Sequence, residues 1–374
     1  MTAPLIMIGA GHAHLVAIRD WIRQGYQPPP GSVLVTPEPE VWYSGMMPGL
    51  LAGRWQSEQC RVALGPLCHA AGISQQLDSL VTLDADQHSI QLASGKALNG
   101  ELISLDCGAG NPAPPHNDGS LELISAKPFG ALYRRWQHWR EHGAPARLAI
   151  LGGGAAAVEL ALALQRALPG CQLTLICASA LLAAQPTRAA RLTRALLAHR
   201  GITLQEGHLV SCIDSGTLLT EDGRAIETDA LILATGAAPA PWQQSSGLAT
   251  DSSGFIQIGN TLQSQSHPRI LASGDCATLP GCPHSGVYAV RQGAVLGPNL
   301  RRLLTGDSAL QHYQPQPRAL ALLATADTQA LACYGPLALR SRLALALKDR
   351  LDTGFMRSLQ QAGGLPSQDQ RPIV

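Results

Sequence analysis

Two units, each made of an apolar strand, a glycine turn and a helix, limit the fold of this 374-residue chain more than any other feature of its sequence. The first unit reads PLIMI, GAGHAH and LVAIRDWIRQG, and we predict that its helix ends near Gly25. The second unit begins about 140 residues later and reads RLAIL, GGGAAA and VELALALQRALPG. A glycine turn at this place lets the positive N-terminus of a helix hold a pyrophosphate. The repetition predicts an α/β fold with two Rossmann-like dinucleotide-binding domains.

The first turn contains four predicted cofactor-binding residues. Gly9 permits the tight bend, and Gly11 lets the backbone approach a pyrophosphate. His14 stands where the common G-x-G-x-x-G pattern has its third glycine. The imidazoles of His12 and His14 either touch phosphate or pack in the interior, and the sequence leaves both interpretations open.

The second turn supplies Gly152 and Gly154, and Ala157 keeps the third position small for close contact between helix and strand. The strands that follow the two turns end at Thr36 and Cys177. Neither strand ends in the acidic residue that commonly binds a ribose hydroxyl, and no arginine comes immediately after the second strand. The choice between NAD and NADP therefore stays open.

Shorter patterns organise the rest of the chain. Residues 77–106 alternate β-like runs with polar turns, which predicts a small antiparallel meander. Residues 37–53 are rich in turn formers, which predicts an irregular loop over a site. The proline-rich stretch 111–119 is a predicted crossing between domains. The apolar runs 229–236 and 269–275 are predicted strands with a glycine at or near the end of each.

Charge and composition exclude several classes of protein. The 27 Lys and Arg residues nearly balance the 26 Asp and Glu residues, so no global basic field favours nucleic acid. No run of 18 apolar residues predicts a membrane span, and the N-terminus lacks a basic leader, so we expect a cytoplasmic protein. Nine scattered cysteines argue against a secreted disulfide framework, and no C-x-x-C pair predicts a metal site.

The motifs taken together resemble the two-dinucleotide flavoproteins of the pyridine nucleotide-disulfide oxidoreductase family. The similarity is greatest to type II NADH dehydrogenases and to the flavoprotein domain fused ahead of selenide, water dikinase. It is carried by GAGHAH, YSGMMPGLLAG, KPF, GGGAAAVELALAL, ILATG, GDCA, SGVYAVRQG and KDRLDTGFM, which span residues 5 to 357 in order. The resemblance implies bound FAD, with NAD(P)H as co-substrate. No C-x-x-x-x-C follows the first helix, so the redox disulfide of the wider family is absent.

The same resemblance implies a glutathione-reductase-like division of the chain. We expect a discontinuous FAD-binding domain at residues 1–116 and 242–310. An NAD(P)-binding domain would occupy residues 117–241. A small C-terminal cap domain with an amphipathic helix would occupy residues 311–374.

Asp275 resembles the carboxylate that accepts a hydrogen bond from the ribityl or pyrophosphate part of FAD, and a helix N-cap is the less favoured alternative. The helix near SGVYAVRQG would direct its positive N-terminus at the flavin pyrimidine edge and favour the reduced, anionic cofactor. The other positions at which the resemblance implies cofactor contact are Thr36, Ser44, Pro48, Gly108, Gly236, Gly274, Gly286 and Val287.

Three residues are candidates for a catalytic role. Glu159 stands where the family places an acid near the nicotinamide, but a surface glutamate would look the same. Gln292 partly matches the quinone-side glutamine motif of type II dehydrogenases, or it packs in the interior. Lys127 belongs to the KPF feature of the selenium-linked relatives, where a solvated lysine is the alternative.

The resemblance implies that reduced flavin passes electrons to a quinone or another small acceptor. Two alternatives remain: a sulfur or selenium oxidoreductase that uses a flavin-adjacent cysteine, and a non-catalytic flavin-binding partner in selenium metabolism. Cysteine-to-serine changes at 107, 276, 282 and 333 that leave turnover intact would remove the first.

The C-terminal region contains an apolar residue every four positions, with basic residues between, which predicts a basic amphipathic helix. The apolar residues are Leu343, Leu347, Leu351, Phe355 and Leu359. Such a helix could lie on the inner face of a membrane, pack on its own domain or join two subunits as a homodimer.

Overall fold

The computed structural model describes residues 2–365 and 371–373. Over those residues the α-helices are α1 (His12–Arg23), α2 (Met47–Leu51), α3 (Leu64–Ala71), α4 (Phe129–His142), α5 (Ala155–Ala167), α6 (Thr187–His199), α7 (Trp242–Ser245), α8 (Gly286–Leu304) and α9 (Arg342–Ala362).

The strands of the first third of the chain are β1 (Thr2–Ile8), β2 (Val33–Thr36), β3 (Glu40–Trp42), β4 (Arg61–Ala63), β5 (Ser74–Leu77), β6 (Leu80–Asp84), β7 (Ser89–Leu92), β8 (Ala97–Leu105), β9 (His116–Asn117) and β10 (Glu122–Ser125). The later strands are β11 (Arg147–Leu151), β12 (Gln172–Cys177), β13 (Thr203–Glu206), β14 (Val210–Asp214), β15 (Thr217–Thr220), β16 (Ala225–Glu227), β17 (Ala230–Leu233), β18 (Ile256–Gln257), β19 (Ile270–Ala272), β20 (Ala277–Thr278), β21 (Ala321–Ala324), β22 (Ala330–Tyr334) and β23 (Leu337–Ser341).

The first sheet has a parallel core in the order β5-β2-β1-β8-β19. Along one edge, strand β8 has two neighbours. Its first residues pair antiparallel with β7, and its last residues pair parallel with β19. Strands β6, β7 and β8 therefore form the predicted antiparallel meander. Strand β19 (Ile270–Ala272) pairs in parallel with β8, so a late segment of the chain lies in the first sheet.

The second sheet is parallel throughout, in the order β10-β17-β11-β12-β13. A small sheet, β16-β15-β14-β9, accompanies it, and an antiparallel β21-β22-β23 sheet precedes α9. The prediction of two Rossmann-like units is confirmed, since each glycine turn joins a central strand of a parallel sheet to a helix. The exact domain boundaries stay a prediction, and residues 366–370 and 374 of the expected C-terminal domain lie outside the described residues.

Close packing of α1 against α8 brings the N-termini of these two helices together. A side chain at Gly293 would lie 2.6 Å from Cβ of Val16, and one at Gly297 would lie 3.2 Å from Cα of Ala17. Trp21 crosses the same contact and donates its indole N–H to the Gly297 carbonyl at 3.1 Å. Small residues thus allow two helices to meet backbone to backbone beside the first glycine turn.

The prediction of an irregular loop at residues 37–53 is wrong. The segment contains β3, a 3-10 turn at Ser44–Met46 and α2. Met46, Met47 and Leu51 are each at most 1% exposed, because they pack into the interior. Burial of these apolar side chains outweighs the turn-forming composition of the segment.

Candidate functional site

The carboxyl of Asp106, which the sequence analysis did not identify, packs against the first glycine turn. A Cβ atom at Gly11 would lie 2.3 Å from Cγ of Asp106, and one at Gly274 would lie 2.5 Å from Oδ1 of the same carboxyl. Oδ2 of Asp106 accepts the backbone N–H of His14 at 2.9 Å. Asp106 therefore accepts a hydrogen bond from the first turn of α1, as a helix-capping side chain does. Gly11 and Gly274 lack a side chain that would clash with its carboxyl. Burial raises the pKa of Asp106 to about 7.

His14 lies in the interior, fully buried. Its Nδ1 lies 2.6 Å from the Gly9 carbonyl oxygen and its Nε2 lies 2.8 Å from Oγ of Ser104. Burial lowers the pKa of His14 to about 4, so the ring is neutral at physiological pH. Of the two interpretations left open for His14, interior packing agrees with this position.

His12, at the first residue of α1, lies instead at the meeting point of several segments. Its ring centroid is 5.5 Å from that of Tyr43 and 5.8 Å from that of Phe355. A Cβ atom at Gly286, the first residue of α8, would lie 3.8 Å from the His12 ring. Burial lowers the pKa of His12 to about 4, against an opposing effect of Asp275. A neutral imidazole thus stands between the N-termini of α1 and α8.

Lys127, Asp275 and Gln292, predicted separately, meet in the structure. Nζ of Lys127 donates to Oδ2 of Asp275 at 2.6 Å. Gln292 reaches the same turn, where its Oε1 accepts the backbone N–H of Gly274 at 2.7 Å. The other carboxyl oxygen of Asp275, Oδ1, is buried and has no hydrogen-bond partner among the described residues. We call Lys127, Gly274, Asp275 and Gln292 the Asp275 site.

The alternative role of Asp275 as a helix cap is wrong. Its residue lies inside a 3-10 turn, Gly274–Cys276, whose N-cap is Ser273. The next helix, α8, has Ser285 at its N-cap. The side chain of Asp275 instead pairs with Lys127 and leaves one oxygen for another donor.

In the second glycine turn, Gly152 is closely packed, whereas Gly154 has open space beside it. At Gly152 φ is +142°, and a Cβ atom there would lie 2.2 Å from the Ala234 carbonyl oxygen and 3.1 Å from Cβ of Ala157. Gly154 is the N-cap of α5, and a Cβ atom there would meet nothing within 4 Å. Open space above this helix N-terminus agrees with the anion site that such a turn can form.

Glu159 joins a second group of polar residues. Its Oε1 accepts the backbone N–H of Ala324 at 2.7 Å, and its charge interacts with Lys348 and Asp352 of α9. Nζ of Lys348 donates to Oδ2 of Asp352 at 3.0 Å, and the Tyr43 hydroxyl donates to Oδ1 of Asp352 at the same distance. We call Tyr43, Glu159, Lys348 and Asp352 the junction cluster, since they come from three separate parts of the chain.

Burial and nearby charges in the junction cluster bring the pKa of one carboxyl, that of Glu159, close to neutral pH. Burial raises the pKa of Glu159 to about 7, although Lys348 opposes the rise. Burial alone would lower the pKa of Lys348, but the carboxylates of Glu159 and Asp352 outweigh it and raise that pKa. The pKa of Tyr43 is raised by burial and by Asp352. Glu159 is therefore the group of this cluster that exchanges a proton most readily at neutral pH.

The model of the family "Pyridine nucleotide-disulphide oxidoreductase" matches residues 3–293. The chain belongs to this family. The predicted resemblance is thereby confirmed, and the activity class is that of an oxidoreductase that uses pyridine nucleotides.

Individual relatives of this family member are distant. The chain is 24% identical over 257 residues to "Ferroptosis suppressor protein 1" of Taeniopygia guttata, covering 65% of this chain and 67% of that protein. It is 32% identical over 147 residues to "Type II NADH:quinone oxidoreductase" of Haemophilus influenzae, covering 35% of this chain and 33% of that protein. The matched regions thus span from a third to two thirds of these relatives.

Solved structures confirm the fold of this oxidoreductase. The sulfide:quinone oxidoreductase of Aquifex aeolicus superposes with a TM-score of 0.77 at 15% identity, covering 98% of this chain and 93% of that chain. The water-forming NADH oxidase of Lactobacillus brevis, solved with NADH, gives a TM-score of 0.71 at 20% identity, covering 88% and 75%.

The remaining predicted cofactor positions of this oxidoreductase lie in, or directly after, several different helices and strands. Thr36 ends β2 and is buried, Ser44 opens the 3-10 turn, and Pro48 lies in α2. Gly108 follows β8 at a φ of +70°, and Val287 lies partly exposed in the first turn of α8. Gly236 follows β17 and has open space around it. Their contact with a cofactor stays a prediction.

The described residues contain no group of three or more His, Cys, Asp or Glu side chains that could hold a metal ion. All nine cysteines are free thiols. None of the helices in residues 2–365 and 371–373 combines the length and apolarity needed to cross a bilayer.

Proposed function

We propose that the protein binds FAD, oxidises NADH or NADPH, and passes the electrons to a quinone or another small acceptor. The observation that carries this proposal is the buried Oδ1 atom of Asp275, which has no partner among the described residues. A buried polar atom is costly unless a donor reaches it. A hydroxyl of the FAD ribityl chain is such a donor.

The surroundings of Asp275 fit a flavin dinucleotide. His12, the first residue of α1, lies beside Gly286, the first residue of α8, and its pKa is affected by the charge of Asp275. Both helix N-termini are positive. We assign the pyrophosphate to the end of α1 and the flavin ring to the end of α8. Bound FAD would supply a hydride acceptor for NAD(P)H and an electron donor for the second substrate.

Lys127 and Gln292 position Asp275 rather than react themselves. The Lys127 ammonium neutralises the carboxylate, and Gln292 holds the neighbouring Gly274 backbone. Both contacts fix the 3-10 turn that carries the carboxyl. The unpartnered oxygen therefore has a defined direction before a ligand binds.

We assign proton delivery to the junction cluster, with Glu159 as the group that holds and releases the proton. Reduction of a quinone needs two protons in addition to two electrons, so a proton source close to the acceptor is required. The Glu159 carboxyl has a pKa of about 7, and Lys348 stabilises it after it has lost its proton. Phe355 of α9 contacts both Tyr43 and His12, so the cluster adjoins the proposed flavin site.

The N-terminal half of α9 offers a surface for an apolar acceptor or a membrane. Leu343, Leu347 and Leu351 are 82%, 42% and 54% exposed, whereas Leu359 is 1% exposed. The hypothesis that the whole leucine stripe packs on its own domain is therefore wrong for these three residues. We propose that this exposed stripe, together with its arginines, contacts the inner face of a membrane.

The central experiment uses the full chain as purified. It should be yellow, release FAD on unfolding, and lose its visible flavin absorbance when mixed anaerobically with NADH or NADPH. Addition of a quinone analogue should restore the absorbance. A colourless chain that takes up no FAD on refolding would refute the proposal. A yellow chain that neither nucleotide bleaches would support the non-catalytic alternative.

Variants separate the roles of the two sites. Asp275→Ala should lose most of the flavin, whereas Asp86→Ala, which changes a side chain 82% exposed, should retain it. Glu159→Gln should slow acceptor reduction and remove its pH dependence near pH 7, while bleaching by NAD(P)H continues. Glu141→Gln on the exposed face of α4 is the matched control. Equal rates in the two glutamine variants would contradict the role of Glu159.

A further inference from the structure

Two cysteines that lie far apart in the sequence leave neighbouring strands at the same edge of the first sheet. Cys107 follows β8 by two residues, and Cys276 ends the 3-10 turn that follows β19. Leu105 at the end of β8 pairs with Ala272 at the end of β19. Because adjacent parallel strands lie about 4.8 Å apart, the loops that follow them emerge side by side.

The Cys276 thiol lies against the end of β8, two residues before Cys107. The Cys276 thiol donates to the Ser273 carbonyl at 3.1 Å and lies 3.6 Å from the Leu105 carbonyl oxygen. The Cys107 thiol raises the pKa of Cys276, and the Cys107 backbone opposes that rise, so the two residues are neighbours. Cys276 is fully buried, whereas Cys107 is exposed. The proposed electron transfer uses neither thiol.

We propose that Cys107 and Cys276 form a reversible disulfide, which makes this edge of the sheet an oxidative modification site. The oxidant is a hydroperoxide, with hydrogen peroxide as the simplest case. The Cys107 sulfur takes one oxygen atom from the peroxide, becomes a sulfenic acid, and one water leaves. Cys276 then loses its proton and attacks that sulfur, the S–S bond forms, and the hydroxide that leaves takes up a proton as the second water. Two electrons pass from the thiols to the peroxide.

The order of the two steps follows from burial. Only Cys107 is open to solvent, so the peroxide reaches it first. The neighbouring Cys107 thiol and burial hold the pKa of Cys276 well above its usual value. Since the thiolate is the attacking species, closure of the disulfide should be the slower step and should accelerate as the pH rises.

The position of the pair gives the modification a consequence. Cys107 adjoins Asp106, and Cys276 adjoins Asp275. The disulfide would tie the loop after β8 to the turn that carries the Asp275 carboxyl, and it would end the thiol's donation to Ser273. Thiol reductants would restore the original contacts.

The test is peptide mapping of the full chain after treatment with hydrogen peroxide, with and without added FAD. Free thiols are blocked with iodoacetamide, and the digest is analysed by mass spectrometry without reduction. A peptide pair joined through Cys107 and Cys276, lighter by two hydrogens and absent after dithiothreitol, is the expected result in at least one of the two forms. Recovery of Cys276 as a free thiol in both forms would overturn the proposal.

Serine variants identify the intermediate. In Cys276→Ser the oxidised Cys107 has no partner, so dimedone should trap its sulfenic acid in larger amount than in the unchanged protein. Cys212→Ser, a change in the small sheet of the second unit, should leave the linked peptide intact. Equal dimedone labelling of the unchanged protein and Cys276→Ser would show that Cys276 does not resolve the oxidised thiol.

Discussion

Substitution of Gly11 by alanine tests whether this glycine is required by the protein itself or by a bound dinucleotide. The added methyl group would lie 2.3 Å from Cγ and Oδ1 of Asp106, about 1 Å inside ordinary van der Waals contact. The Asp106 carboxyl has no room to withdraw, because the Gly274 backbone is packed against its Oδ1 atom and His14 N–H holds Oδ2. Gly11→Ala should therefore destabilise the chain even without a cofactor.

The size of this effect follows from two contributions. Overpacking of a buried site costs about 1–3 kcal/mol of unfolding free energy. Replacing a glycine N-cap by alanine costs roughly 0.5–1 kcal/mol more. Gly154 is the equivalent N-cap of α5 and has open space around its Cα, so Gly154→Ala carries only the second contribution. The difference between the two variants should be about 1–3 kcal/mol.

Urea unfolding of the flavin-free chain, followed by tryptophan fluorescence, measures this difference. The double variant Gly11→Ala/Asp106→Ala provides the decisive comparison, because removal of the carboxyl removes the clash. Its loss of stability should be smaller than the sum of the two single losses by about the overpacking cost of 1–3 kcal/mol. Strict additivity, or equal stability of Gly11→Ala and Gly154→Ala, would refute the packing argument.

Three further predictions rest on other contacts. The pKa of Asp106 is raised from 3.8 to about 7, so folding favours the protonated carboxyl. Relative to Asp106→Asn, the unchanged protein should lose unfolding free energy as the pH rises from about 4 to about 7, as measured by urea unfolding. Parallel plots of unfolding free energy against pH for the two proteins would contradict this. His14→Ala leaves a cavity and deprives the Ser104 hydroxyl of its imidazole partner. Calorimetry and urea unfolding should therefore show a loss of about 2–4 kcal/mol of unfolding free energy. A loss under about 0.5 kcal/mol would contradict this role. Replacing the exposed Leu343, Leu347 and Leu351 by glutamate should change the unfolding free energy by less than about 0.5 kcal/mol at each site. The same changes should abolish cosedimentation with anionic lipid vesicles. If the variant and the unchanged protein cosediment equally, the membrane proposal is wrong.

Sequence patterns predicted those parts of the fold that depend on neighbouring residues. The two glycine turns, the meander of β6, β7 and β8 and the amphipathic helix α9 were all predictable, because hydrophobic periodicity and turn chemistry act within a few residues. The segment 37–53 was not, because its structure depends on apolar side chains that find their partners elsewhere in the chain.

The candidate site shows the same division. Lys127, Asp275 and Gln292 were identified one by one from motifs, but their meeting depends on the crossing between two sheets. An acid at the end of a buried strand was the available signal for Asp106, yet nothing local connects it to Gly11.

By itself, the sequence determined that two nucleotide folds follow each other and which residues open their helices, since a strand, a glycine and a helix N-terminus are specified within about ten residues of chain. Tertiary structure alone decided which distant groups lie together: Asp106 between two glycines, the Cys276 thiol against the end of β8, and Glu159 where Lys348 acts on its charge. The physical reason is that these contacts depend on strand register and helix packing, and both are settled only when the whole core is assembled.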